Sequence, residues 1–491
     1  MMSNPEPPKA PTPKPAPMKL NPVRTPIHEE PPHERSKGFG EVLHPYSMEE
    51  AVLEAKRCIQ CGRPYCVEAC PITQDVRDYI RLLQERRFDE ASKVILRDNP
   101  FASTLCKVCY HYCEDACLVG KKGVPVAIRH LKRSALANAN SDLTYVPLPK
   151  NGQKVAIIGG GPAGLMAAWE LGLRGYTVTL FEKEPVLGGQ ARTIPHYRMD
   201  GSELDQDVAR FKNLDLTFVM GKRAGVDFTP ESLLKEGYGA VYIALGTNFN
   251  RPLGIPGENL PGVFPAFDLL KDLNRGKHIV MGKKIVVLGG GDVAMDAVRS
   301  ALRLSPGAEV TLIYRRSPDE MPADKEETKG AEEEGVKFLF LHAPLRILGS
   351  NHVEGIVIQK MELGPPDASG RRSPVPIQGA EETIHCDTVI PAVGQKTDLN
   401  GFSKSIDLKL GSQGWPEGGR EDKMTAIEGV FASGGRSVVY AMAAGSRAAE
   451  AIDTYLKKKM QQAPTPRPDP FGGSQPAPKT PKGYTKPVWK L

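Results

Sequence analysis

Val155-Ala156-Ile157-Ile158-Gly159-Gly160-Gly161-Pro162-Ala163-Gly164 is a short apolar strand running straight into a G-x-G-x-x-G turn, and the apolar run Leu165 to Leu173 continues it as a helix. In that context the glycines let the backbone approach a pyrophosphate, and the helix N-terminus faces its negative charge. The following strand, Thr177 to Phe181, ends at Glu182 and Lys183, and Glu182 is placed to accept hydrogen bonds from a ribose. The stretch predicts the adenosine half of FAD or NAD.

The pattern recurs. Ile285-Val286-Val287-Leu288 leads into Gly289-Gly290-Gly291-Asp292-Val293-Ala294, a G-x-G-x-x-A turn, and the next strand, Val310 to Tyr314, ends in Arg315-Arg316. An acidic residue there would read a free ribose 2'-hydroxyl. Two arginines favour a 2'-phosphate, hence NADPH over NADH, a salt bridge being their other use. The fold class is therefore α/β, with two Rossmann-like dinucleotide-binding domains, the second inserted in the first. We place the first at 151–280 and 389–458, and the second at 281–388.

Outward from these units the cysteines are unevenly spread: eight of nine lie between Cys58 and Cys117, and Cys386 stands alone. Disulfides belong to small secreted domains, and this chain has 491 residues without an export signal. Cys58, Cys61, Cys66 and Cys70 with Pro71 give C-x2-C-x4-C-x3-C-P, and Cys109, Cys113 and Cys117 follow. In two-cluster ferredoxin spacing, three close thiolates hold one cluster and the cysteine before the proline reaches the other. Zinc would use paired C-x2-C knuckles, in which C-x3-C-P has no role. By this logic Cys58, Cys61, Cys66 and Cys117 hold one 4Fe-4S cluster, and Cys70, Cys109 and Cys113 the second, with Cys106 the nearest extra thiol and His111 and His130 weaker candidates. The surrounding text is helical, so residues 39–150 form a helical 4Fe-4S domain.

Residues 1–38 and 459–491 are crowded with proline and lack the apolar density for a core. They are expected to be disordered arms, either idle or lying across a partner. Charged residues are 25% and hydrophobic residues 40%, the net charge is +6, and Lys and Arg are scattered among acids. That composition predicts a soluble, cytoplasmic protein with no membrane or nucleic-acid partner.

Further ordered blocks are Arg57-Cys58, Cys70-Pro71, Cys113-Glu114-Asp115-Ala116-Cys117, Gly188-Gly189-Gln190 and Ile194-Pro195-His196-Tyr197-Arg198. Ala244-Leu245-Gly246-Thr247, Tyr314-Arg315-Arg316 with Glu320-Met321-Pro322, and Ala392-Val393-Gly394 complete them. From about Ser47 to Leu456 the chain resembles the small (beta) subunit of glutamate synthase and its relatives. These include the N-terminal half of dihydropyrimidine dehydrogenase and the large subunit of NADH-dependent ferredoxin:NADP reductases. The resemblance implies FAD on the first unit, through Gly159, Gly161, Pro162, Ala163, Gly164, Glu182, Lys183, Gly189, Gln190, Arg198, Gly246 and Thr247, with Gly394, Gly434 and Gly435. It implies NADP(H) on the second, through Gly289, Gly291, Asp292, Val293, Arg315 and Arg316. Flavin and clusters carry the chemistry, so no catalytic side chain is required. No cysteine lies between Cys117 and Cys386, which excludes a disulfide reductase.

Two departures stand out. Relatives supply a Glu or Gln to the second cluster where this chain has Lys132, so Cys106 is the expected replacement. Relatives also carry an Asp at Gly435, followed by a few residues missing here. The implied function is an electron-transfer subunit, a hetero-oligomer partner of another oxidoreductase such as a glutamate synthase large subunit. A ferredoxin- or aldehyde-linked complex, a self-contained reductase and a cluster-bearing scaffold with impaired flavin function are the alternatives.

Overall fold

The computed structural model describes residues 22–140, 145–367, 370–399, 402, 408–410, 414–418 and 422–471. The outer parts of both proline-rich arms, residues 1–21 and 472–491, lie outside the described residues. The expected helical domain followed by two Rossmann-like units is present.

In the first unit five parallel strands stand in the order Val430–Ala432, Ala240–Ile243, Lys154–Ile158, Thr177–Glu182 and Leu216–Met220. A strand covered on both faces needs apolar residues at every position. Val155 and Ile157 enter one core with Leu165 and Met166, whereas Ala156 and Ile158 enter another with Leu233 and Val241. The helix Pro162–Leu173 then lies against the strand it follows, and the long helix Val438–Lys459 covers it. Gly164 makes the first of these contacts possible, because a Cβ there would sit 1.9 Å from the carbonyl oxygen of Gly159.

The second unit has four parallel strands in the order Lys337–Phe340, Glu309–Tyr314, Lys284–Leu288 and Thr388–Pro391. The strand Thr388–Pro391 pairs with Lys284–Leu288, so the boundary drawn at residue 388 cuts a strand of this sheet. An antiparallel meander, His342–Leu348, Gly355–Pro366 and Arg372–Ile384, precedes it.

The cysteine domain is built from short helices, chiefly Met48–Ala55, Val76–Gln84, Phe88–Asp98, Ala102–Val108 and Ile128–Ala137. Ser47 and Glu50 close the first in a reciprocal cap. Tyr79, Leu83, Ile95 and Leu131 share the core that holds the helices together. Asp207 of the first α/β unit, fully buried, accepts from the amides of Ser103 at 3.2 Å and Thr104 at 2.8 Å. A carboxylate at a helix N-terminus meets unpaired amides and the positive end of the dipole. It thereby seats the helix that ends at Cys109.

The arms require a correction. Residues 22–38 are ordered against the body: the buried Arg35 pairs with Glu333 at 2.8 Å and Glu334 at 2.9 Å of the second unit, and Arg303 donates to the carbonyl of Gly38 at 2.9 Å. At the other end Arg467 pairs with the buried Glu170 at 2.6 Å, and the Val146 amide donates to the Pro470 carbonyl at 2.8 Å. Composition registered the missing apolar core and missed these ion pairs. No helix among the described residues is long and apolar enough to cross a membrane.

Candidate functional site

A cleft of about 470 Å³ is lined from three directions. The first unit contributes Gly159, Gly161, Pro162, Ala163, Glu182, Lys183, Gly189, Gln190, Gly246 and Thr247, the second Asp292 and Val293, and the cysteine domain Cys109.

Glu182 ends its strand inside the turn it serves. Its carboxylate accepts from the Gly160 amide at 2.6 Å and the Glu184 amide at 2.9 Å, which fixes the loop around any bound nucleotide. Gln190 donates to Thr247 Oγ1 at 3.1 Å and Gln395 Oε1 at 3.2 Å, tying two walls of the cleft together. Burial draws the Lys183 pKa down. Gly164 sits behind the turn, and Gly394 accepts from the Arg251 amide at 3.0 Å.

Arg198 lines the cleft, but its guanidinium is shared with the second unit, Asp296 at 2.6 Å and Glu327 at 3.0 Å. It bridges the two units, a role that sequence proximity to Gln190 does not reveal. Gly435 is held to glycine by packing: a Cβ there would lie 2.3 Å from the Ala441 amide nitrogen and the Tyr440 carbonyl carbon. The strand Val430–Ala432 leads within a few residues onto the helix Val438–Lys459, and an Asp at 435 has no room. Trp415, buried and on the cleft wall, packs on Gly434, where a Cβ would be 2.8 Å from its ring. Sequence reasoning passed over Trp415, since a lone tryptophan among glycines carries no periodic signal.

At the second turn Gly289 and Gly291 frame the helix start. The Asp292 carboxylate accepts from the Asp324 amide at 2.9 Å, and burial pushes its pKa up to about 7. Arg315 is exposed at the strand end, whereas Arg316 is buried and donates to Asp367 at 2.6 Å and the Arg372 carbonyl at 2.7 Å. Arg315 thus has the freer guanidinium for a phosphate.

Cys58, Cys61, Cys66 and Cys117 surround a separate cavity of about 30 Å³ whose other walls include Val76, Ile80, Val126 and Ile128. Four thiols around an apolar void fit an iron-sulfur cubane. Burial pushes Cys58 up to about 11 and Cys66 up to about 12, so without metal these thiols hold their protons and loading must release them. The buried pair Arg57 and Glu54, 2.7 Å apart, anchors this cradle, with Glu54 also accepting from the Thr25 and Ala127 amides at 2.8 Å.

Cys70, Cys109 and Cys113, each half-buried, form the second group, and burial raises the pKa of Cys70 and Cys113 with neighbouring thiols adding to the rise. Cys106 is buried on the helix that leads to Cys109. Its thiol donates to the Ser103 carbonyl at 3.2 Å on its own helix, among the charges of Lys132, Arg133 and Lys107. The reason is helical phase. Cys106 lies within the helix Ala102–Val108, whereas Cys109 follows its end in extended backbone. His130 packs on Tyr46, and His111 faces Glu326 at 3.5 Å. His111, Asp324 and Glu326 lie close enough to hold a lone ion, but Arg129 already pairs with Glu326.

An iron-sulfur domain joined to two dinucleotide-binding units around one cleft defines an NAD(P)H-dependent oxidoreductase. Residues 35–143 match the family described as dihydropyrimidine dehydrogenase domain II, 4Fe-4S cluster, and residues 153–464 match pyridine nucleotide-disulphide oxidoreductase. The chain belongs to the glutamate synthase small-chain family: it is 34% identical over 454 residues to the glutamate synthase [NADPH] small chain of Halomonas elongata, covering 87% of this chain and 95% of that one. It is 39% identical to the NADP(+)-dependent formate dehydrogenase subunit beta of Moorella thermoacetica, over 80% of this chain and 60% of the relative. It is 40% identical to the NADPH-Fe(3+) oxidoreductase subunit beta of Geobacter sulfurreducens, over 70% of this chain and 53% of the relative. Thus it spans little more than half the length of these two. Among solved structures, FprA of Mycobacterium tuberculosis in complex with NADPH shares the fold, with TM-score 0.55, 20% identity, and coverage of 64% of this chain and 86% of that one.

Proposed function

We propose that the chain is an electron-transfer subunit that takes up NADPH on the second unit and FAD on the first, and exchanges electrons with a partner oxidoreductase through two iron-sulfur clusters. The observation that carries this reading is the shared cleft, where Gly159 and Gly161, Asp292 and Val293, and the thiol-bearing Cys109 line one space. Bound there, a flavin supplies the exchange between hydride transfer and single-electron transfer. The protein's share is placement. The two helix N-termini face the phosphates, Glu182 holds the first turn, Arg315 meets a 2'-phosphate, and Gln190 with Thr247 shapes the flavin wall.

The names of the relatives, subunits of glutamate synthase, formate dehydrogenase and an Fe(3+) oxidoreductase, support a separate partner that carries the terminal chemistry. Anaerobic titration with NADPH and, separately, NADH tests the reading. Bleaching of a bound yellow flavin by NADPH, with NADH weaker, is the expected result. A flavin that binds but does not respond to either nucleotide would instead favour the scaffold reading, which the crowded Gly435 position motivates.

A further inference from the structure

The second cysteine group is assembled by packed helices. The helix Tyr65–Ala69, which ends at Cys70, packs on the helix Tyr112–Asp115, which carries Cys113, and Cys109 closes the helix Ala102–Val108 on the cleft wall. A cation is seated on this group by direct contact. The Arg129 guanidinium, its side chain 8% exposed, donates to the Cys109 carbonyl at 3.2 Å. Carbonyl and sulfur belong to one residue, so the charge stands within about 8 Å of the Cys109 sulfur. The Arg129 backbone is held as well: its amide donates at 2.9 Å to Glu114, the neighbour of Cys113, and Glu114 pairs with Arg24 at 2.6 Å. The counter-charge of Arg129 comes from across a domain boundary. Glu326 pairs with it from the helix Lys325–Glu333 of the second α/β unit, whose N-cap, Asp324, accepts from the Glu326 amide at 2.8 Å.

We propose that Arg129 raises the reduction potential of the cluster on Cys70, Cys109 and Cys113, and that Glu326 of the second unit holds that rise in check. The inference rests on the iron-sulfur reading above. Taking up one electron adds a negative charge to an anionic thiolate-bound cluster, and a cation in a water-poor interior favours that step more than the same cation in solvent. A guanidinium keeps its charge at any working pH, so the bias is permanent. The two opposite charges do not cancel. Arg129 is buried against a cluster ligand, whereas the Glu326 side chain, 43% exposed, is screened by water. His111, between Cys109 and Cys113, faces the same carboxylate at 3.5 Å, so two groups of the cysteine domain meet the second unit at one residue. The unit expected to bind the nucleotide thus contributes to the driving force for electrons leaving the flavin.

The test is a redox titration of the full chain, purified without oxygen, followed by electron paramagnetic resonance. The second cluster's signal is the one that changes in Cys109→Ser. Its midpoint should fall in Arg129→Gln, rise in Glu326→Gln and stay close to the original in Arg129→Lys, which keeps the charge, while the first cluster's midpoint holds still in all three. A merely loosened fold admits water to the cluster, and that moves the midpoint the same way in Arg129→Gln and Glu326→Gln. Shifts of one sign, no shift, or an equal shift of both clusters would therefore overturn the inference and leave the electron-transfer reading intact. A chain that takes up no iron would overturn both. Should Arg129→Gln fail to fold, Glu326→Gln against Glu326→Asp decides alone: the midpoint rises only where the charge is lost, and equal midpoints in the two overturn the inference.

Discussion

The two dinucleotide-binding units repeat one backbone solution and differ in the side chains set into it. In the first, the position six residues into the glycine turn is Gly164, whose Cβ would strike Gly159; in the second it is Ala294, buried and accommodated. The first unit ends its second strand at Glu182, which closes onto the turn, and the second ends in Arg315 and Arg316, one exposed and one bound to Asp367. A turn of this kind suits a pyrophosphate, and the charge at the strand end is where the two units part: Glu182 in one, Arg315 in the other.

This contrast can be broken most sharply at the matched helix position. Gly164→Ala should cost about 3 kcal/mol through overpacking and release flavin, read as a fall in unfolding midpoint and in bound-flavin absorbance. If the two turns were interchangeable, that protein would retain its flavin. Next in size, Arg315→Ala should weaken NADPH about tenfold, about 1.4 kcal/mol, and leave NADH unchanged, measured by anaerobic titration of flavin bleaching. Equal loss for both nucleotides would mean that Arg315 does not read the 2'-phosphate. The reverse of the first exchange, Ala294→Gly, should cost only about 1 kcal/mol, the helix-propensity difference, with both cofactors retained.

The smallest effect concerns pH. Burial raises the Asp292 pKa to about 7, so the group is neutral below that value and a carboxylate above it, at the cleft where NADPH is proposed to bind. NADPH affinity should fall a few-fold as pH rises through about 7, and Asp292→Asn should flatten the profile. The proton held by the folded state also ties stability to pH: that contribution is fully present below the ordinary carboxyl pKa near 3.8, falls as pH rises from there, and is gone above about 7. An unchanged slope in the variant would assign the dependence to another group.

Much of this architecture was legible because it rests on local rules. Apolar runs of four residues ending in glycine identified both central strands, and the cysteine spacing separated Cys58, Cys61, Cys66 and Cys117 from Cys70, Cys109 and Cys113. Less legible were positions whose meaning depends on partners far along the chain. Arg198 was read with its neighbour Gln190, yet its guanidinium belongs to Asp296 and Glu327. Arg35 lay in a stretch read as disordered, and it pairs with Glu333 and Glu334 some three hundred residues away.

The sequence by itself determined the class of fold, the family, and the residue types that can meet a pyrophosphate, a 2'-phosphate and iron, because those depend on spacing within one turn or one helix. Tertiary structure alone decided that Cys106 turns back to Ser103, that Arg198 reaches across to Asp296 and Glu327, and that Gly435 leaves no room for an acid. Each of these depends on the phase of a helix against another element, and side-chain direction across a packed interface is not encoded in any single local pattern.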